Sequence, residues 1–135
     1  MPSRSSGARS KPLDHLFAYG TLMRGYSRHR FLAAGATLVG EGTAPGRLLD
    51  FRHYPGLIPG RGRVRGQLYR LHRAELLPVL DREEGYNFVR RRGIVTLVGG
   101  RRVCAWLYRY RGPRERATPI SDGDYRRARP PRGLR

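Results

Sequence analysis

Cysteine is all but missing from this chain, and Cys104 stands alone. One thiol cannot make an internal disulfide, a thiolate metal cluster or a Cys-x-x-Cys redox pair, so a reducing compartment, the cytoplasm, is expected. With Val103 and Ala105 beside it and no adjacent base, Cys104 reads as a buried structural thiol rather than a nucleophile. Long apolar runs are absent too: none approaches the roughly 18 residues of a membrane span. No apolar h-region follows Met1, so a secretory signal is not visible. His15, His29, His53 and His72 lack metal-ligand spacing, and neither a metal nor a cofactor is expected.

Acidic residues are scarce, 10 against 28 basic ones, which leaves a net charge of +18. Such an excess is the usual footprint of a polyanion binder. Its make-up weakens that reading. Lys11 is the single lysine, an arginine bias that coding-base composition alone produces, and the arginines are scattered, with Arg126, Arg127, Arg129, Arg132 and Arg135 on a Pro-containing tail. Nucleic acid is therefore not expected as the main partner, nor is a membrane.

What is present suits one small domain: 135 residues with 39% hydrophobic content in short runs. Residues 1–12 and roughly 112–135 read as flexible ends, and the folded domain is drawn at 13–125 with a flexible basic tail at 126–135. Leu16 to Tyr19 form a short buried strand ending at Gly20. Ser27 caps a helix through Phe31 to Ala34. The periodicity then changes to two, with candidate strands Thr37 to Gly42, Gly46 to Phe51, Arg63 to Leu71, Phe88 to Val98 and Arg101 to Tyr110, the last two joined by a Gly99-Gly100 hairpin. A second helix spans Arg73 to Glu84, with Pro78 confining its regular part to the C-terminal half. The fold class is α+β: a small mixed, mostly antiparallel β-barrel with two short helices and closed edges.

Leu76, Leu77 and Leu80 lie on one side of that second helix, and Glu84, four residues after Leu80, falls on the same stripe. A carboxylate among leucines at a helix C-terminus has its pKa raised, which suits a proton shuttle near neutral pH. The alternative is that Glu84 turns outward or pairs with Arg90, Arg91 or Arg92.

Tyr19-Gly20-Thr21-Leu22-Met23-Arg24-Gly25, Tyr54-Pro55-Gly56-Leu57, Val64 to Tyr69 and Leu80-Asp81-Arg82-Glu83-Glu84-Gly85-Tyr86 resemble, in order and spacing, the gamma-glutamylcyclotransferase or AIG2-like family. Ala105 to Tyr108 and Ile120 to Tyr125 are similar to further family positions. The resemblance implies a compact mixed barrel, a small-molecule gamma-glutamyl substrate held by the loop of Tyr19, Gly20, Thr21 and Leu22, and Glu84 as general acid/base. It implies an amide-type lyase or transferase that forms 5-oxoproline without a cofactor; a monomer or weak dimer is expected. Backbone N–H groups of Gly20, Thr21 and Leu22 would cradle a carboxylate or oxyanion, Gly20 keeping the approach open, and the Tyr108 hydroxyl would line the pocket. The plainer alternative is that Gly20 starts a turn while Tyr19 and Tyr108 pack in the core. Phe88 departs from the family pattern where a tyrosine is common, and Glu83 doubles the acidic position. From a different class, a non-catalytic module binding a small anion or polyanion on the same fold is the competing reading, and hydrolysis with water as acceptor is a third.

Overall fold

The computed structural model describes residues 13–131. Strand β1 (His15–Ala18) is buried at Leu16, Phe17 and Ala18. After a 3-10 turn (Ser27–His29) and a short helix α1 (Arg30–Ala33), strands β2 (Ala36–Asp50) and β3 (Pro55–Leu71) make one long antiparallel ribbon. Helix α2 (Leu76–Glu84) follows, then the hairpin of β4 (Phe88–Leu97) and β5 (Arg102–Tyr110). Strand β6 (Thr118–Ile120) and helix α3 (Tyr125–Ala128) complete the order.

Five strands close on themselves as β1-β3-β2-β4-β5. The last seam is the parallel pairing of Leu16 in β1 with Trp106 in β5. Closure removes the free sheet edges on which strands of other chains could add. Strand β6 lies outside, on the end of β2, with Leu48 opposite Ile120. Inside, Phe17, Val64, Leu68, Val95 and Ala105 fill the barrel, each large apolar side chain contributing about 1.5–3 kcal/mol by leaving water.

Several sequence expectations change in detail. The two strands expected between Thr37 and Phe51 are one, because a bulge between Pro45 and Arg47 bends the ribbon instead of breaking it. Strand β3 likewise runs back through Pro59 and Gly60 to Pro55. Pro78 does not delay α2: it is the third helical residue, where its missing N–H would have had no intrahelical acceptor. Ser27 makes no capping hydrogen bond. Cys104 is exposed rather than buried, since Val103, Ala105 and Leu107 take the inward alternation of β5. The Gly99-Gly100 turn has both residues at positive φ, as a tight hairpin needs.

The C-terminal boundary also moves. The segment expected to be flexible from 112 onward contains β6 and α3, and the helix passes the expected limit at Tyr125 to end at Ala128. Its Asp124 accepts the Arg126 N–H as an N-cap, the Arg126 guanidinium forks onto Glu41 at 2.7 and 3.0 Å, and Arg129 pairs with Asp50 at 3.1 Å. Segments 1–12 and 132–135 lie outside the described residues. Among the described residues no helix is long and apolar enough to cross a membrane.

Candidate active site

A cavity of about 210 Å³ opens between the end of β1 and the end of α2. Tyr19, Gly20, Thr21, Leu22, Glu84 and Tyr108 all line it, so the residues singled out in sequence converge on one space. Glu84 is the last residue of α2. Leu77 and Leu80 bury the same helix face, which carries the Glu84 side chain inward to 11% exposure. Burial raises its pKa from 4.5 to about 7, against the opposing charge of Arg28. Arg28 Nη1 lies 3.6 Å from Glu84 Oε2 and also donates to the Glu83 carbonyl.

The cation beside Glu84 is thus Arg28 and none of Arg90 to Arg92. Arg90 is occupied elsewhere, forking onto Asp81 at 2.9 and 3.1 Å. Glu83 meets Arg28 through its backbone carbonyl.

Beyond β1 the chain turns, with Met23 N–H donating to Gly20 C=O and Arg28 N–H to Thr21 C=O, both at 3.0 Å. The N–H groups of Gly20, Thr21 and Leu22 have no backbone acceptor among the described residues, and all three residues line the cavity. Gly20 has a different reason from the expected one. A Cβ there would sit 2.5 Å from Pro55 Cγ, so the missing side chain admits the Pro55 ring, and it is Pro55 that walls the cavity.

The two tyrosines are anchored by their hydroxyls. Tyr19 donates to the Tyr108 carbonyl at 2.6 Å and accepts from Leu57 N–H at 3.1 Å, tying the loop to β5 and β3. Tyr108 donates to Asp81 Oδ1 at 2.6 Å, so its ring lines the cavity while its O–H is committed to the back wall. Burial drives both phenols far above their ordinary pKa, with the Asp81 hydrogen bond adding to it at Tyr108 and the Glu84 charge at Tyr19. Neither ionises near neutrality.

Sequence reasoning missed Arg28, which it took only as part of a helix, and the outer wall. That wall holds Tyr54, Phe88 and the 88% exposed Tyr86. Phe88 meets Tyr54 and Tyr110 edge-on, with centroids 5.9 and 5.3 Å away, so packing replaces whatever hydrogen bond a tyrosine would make. Tyr54-Pro55 stood in one of the resembling blocks and was the available signal; Arg28 had none. Among the described residues no cluster of His, Cys, Asp or Glu could hold a metal ion.

Residues 16–127 match the family model described as gamma-glutamyl cyclotransferase, AIG2-like. The chain belongs to that family. Relatives agree in length as well as sequence: the gamma-glutamylcyclotransferase family protein ytfP of Citrobacter rodentium is 34% identical over 113 residues, 82% of this chain and 93% of its own. The Escherichia coli K12 protein of that name is 33% identical, covering 82% and 94%. Its solution structure superimposes with a TM-score of 0.61 at 30% identity, over 82% of this chain and 95% of that one. A crystal structure of an AIG2-like protein from Mus musculus gives a TM-score of 0.62 at 27% identity, covering 73% and 78%. The closed mixed barrel is thus the family fold, and gamma-glutamyl chemistry on a small molecule is the kind of function the membership supports.

Proposed function

We propose that this protein is a gamma-glutamylcyclotransferase that converts a gamma-glutamyl compound into 5-oxoproline and a free amine or amino acid, with Glu84 as its general acid/base. The observation that carries the reading is a carboxyl group buried in a cavity, its pKa raised to about 7, beside Gly20, Thr21 and Leu22, whose N–H groups have no backbone acceptor among the described residues. The substrate's α-ammonium cannot attack until it loses a proton, and Glu84 takes it. The freed amine then attacks the gamma-carbonyl carbon of the same molecule, a five-membered ring forms, and the carbonyl oxygen becomes an oxyanion. Backbone N–H groups of Thr21 and Leu22 stabilise the developing charge, while Gly20 N–H contributes to holding the glutamyl carboxylate. Protonated Glu84 passes its proton to the leaving nitrogen, the oxyanion collapses to the lactam carbonyl as the C–N bond breaks, and the second proton of the ring nitrogen passes through Glu84 to the released amine.

A group near its pKa at working pH can do both transfers, which is worth typically 10²- to 10⁴-fold in rate. Because nucleophile and electrophile belong to one molecule, the remaining task is to hold the bent conformer, for which a small walled cavity suffices. Tyr19 and Tyr108 act here as wall and brace, not as acids. The competing anion-binding module needs no inward carboxylate, and Glu84 in the cavity favours the enzyme.

Mass-spectrometric detection of 5-oxoproline from a panel of gamma-glutamyl amino acids and amines tests the reading. Product from wild type and none from Glu84→Gln is the expected result. Absence of product across the panel would turn the assignment toward the binding module.

A further inference from the structure

Among the described residues, two of those lining the cavity are charged, Glu84 and Arg28. The reaction proposed above uses the first and leaves the second unexplained. Arg28 is fixed at both ends: its backbone N–H closes the loop onto Thr21 C=O at 3.0 Å, and Nη1 donates to the Glu83 carbonyl. Its separation of 3.6 Å from Glu84 Oε2 is too long for a direct hydrogen bond. Both contacts use Nη1, so the Nε and Nη2 edge has no partner among the described residues. That edge is the fork that matches a carboxylate with two parallel hydrogen bonds. The side chain is 39% exposed against 11% for Glu84, and both line the same cavity.

We infer that Arg28 selects the leaving group, favouring gamma-glutamyl compounds whose departing nitrogen carries a carboxylate on the adjacent carbon. The inference rests on the cyclotransferase reading. Glu84 must reach the departing nitrogen to protonate it, and Arg28 lies within one further contact of Glu84. In a gamma-glutamyl α-amino acid the carboxylate is separated from that nitrogen by a single carbon, so it falls at the guanidinium. In a gamma-glutamyl alkylamine the anion is missing. In an ε-linked glutamyl-lysine it is a whole side chain away. The glutamyl half's own carboxylate is common to all three and is met by the loop N–H groups.

The test compares gamma-glutamyl-alanine with gamma-glutamyl-ethylamine, which differ only in that carboxylate, in wild type, Arg28→Gln and Arg28→Lys. Wild type should favour the alanine compound in kcat/KM by about 10- to 100-fold, the range of a charge-assisted hydrogen bond. Arg28→Gln should bring the ratio within about threefold of unity, and Arg28→Lys, which keeps the charge without the fork, should fall between. A substrate ratio unchanged in both variants would overturn the inference; if both substrates also lose rate equally, Arg28 is assigned to the glutamyl carboxylate they share. If neither these two compounds nor any other of the panel gives 5-oxoproline, the cyclotransferase reading fails by itself. Calorimetric binding then decides: preferential binding of the alanine compound that is lost in Arg28→Gln upholds Arg28 as the carboxylate reader, and equal or absent binding refutes it.

Discussion

Asp81 and Glu84 are one turn apart on α2, carry the same functional group, and live in opposite surroundings. Burial pushes Asp81 up, but hydrogen bonds from Arg90 and Tyr108 and the Arg90 charge outweigh it and hold its carboxyl below the usual range. Glu84 has apolar walls and one cation at arm's length, and burial wins. The first is therefore held as an anion at neutral pH, and the second has the raised pKa that the proposed proton-exchanging role requires. Local solvation and hydrogen bonding, not residue type, divide the labour.

The sharpest way to break the contrast is to remove the proton-exchanging member. Glu84→Gln should lower kcat/KM for a gamma-glutamyl substrate by at least 10²- to 10⁴-fold, measured as 5-oxoproline released. Near-normal turnover would hand the role to another group. The same variant should gain stability where wild type has lost it. Because the folded pKa of Glu84 lies above its unfolded value of 4.5, its stabilising neutral form is fully present below that value and is lost as pH rises to about 7. Denaturant unfolding should thus find Glu84→Gln more stable than wild type at pH 8, relative to pH 4, by about 1–3 kcal/mol.

A smaller effect comes from the fixed anion. Asp81→Asn strips Arg90 of its carboxylate and weakens the acceptor of Tyr108, and should cost about 1 kcal/mol, read as a fall of about 3–6 °C in Tm. Its kcat/KM should fall less than that of Glu84→Gln, since Asp81 acts only through the wall it braces. Smallest of all, kcat/KM of the wild type should decline on the acid side of about pH 7, as Glu84 takes up its proton. Arg28→Gln should move that limb to higher pH, because the removed cation had been lowering the Glu84 pKa. A limb that moved to lower pH would mean that another group controls it.

Features set by short-range rules were readable in the sequence. The phase of Leu76, Leu80 and Glu84, the Gly99-Gly100 turn and the alternation of β4 and β5 each depend on neighbours a few residues away. Glu84 was legible because an acid at a core position conflicts with its own helix pattern. What could not be read depends on distant partners. Arg28 meets Glu84 across 56 residues of chain, and nothing in Ser27-Arg28-His29 marks it. Pro45 and Gly46 looked like a strand break because a bulged ribbon and a broken one share the same residues. The exposure of Cys104 followed from which face of β5 the barrel turned inward, a choice that Trp106 and Tyr108 on the same alternation had obscured.

The clasp made by the C-terminal helix sets an order of assembly. Tyr26, at the far end of the loop that lines the cavity, donates to the Arg129 carbonyl at 2.5 Å and leans on the Tyr125 ring at a centroid distance of 5.4 Å. The ribosome makes the loop about a hundred residues before its fastener. Closing so long a loop is the slow, entropically costly kind of contact. The cavity's first strand is thus translated about a hundred residues before the loop beside it gains its last support.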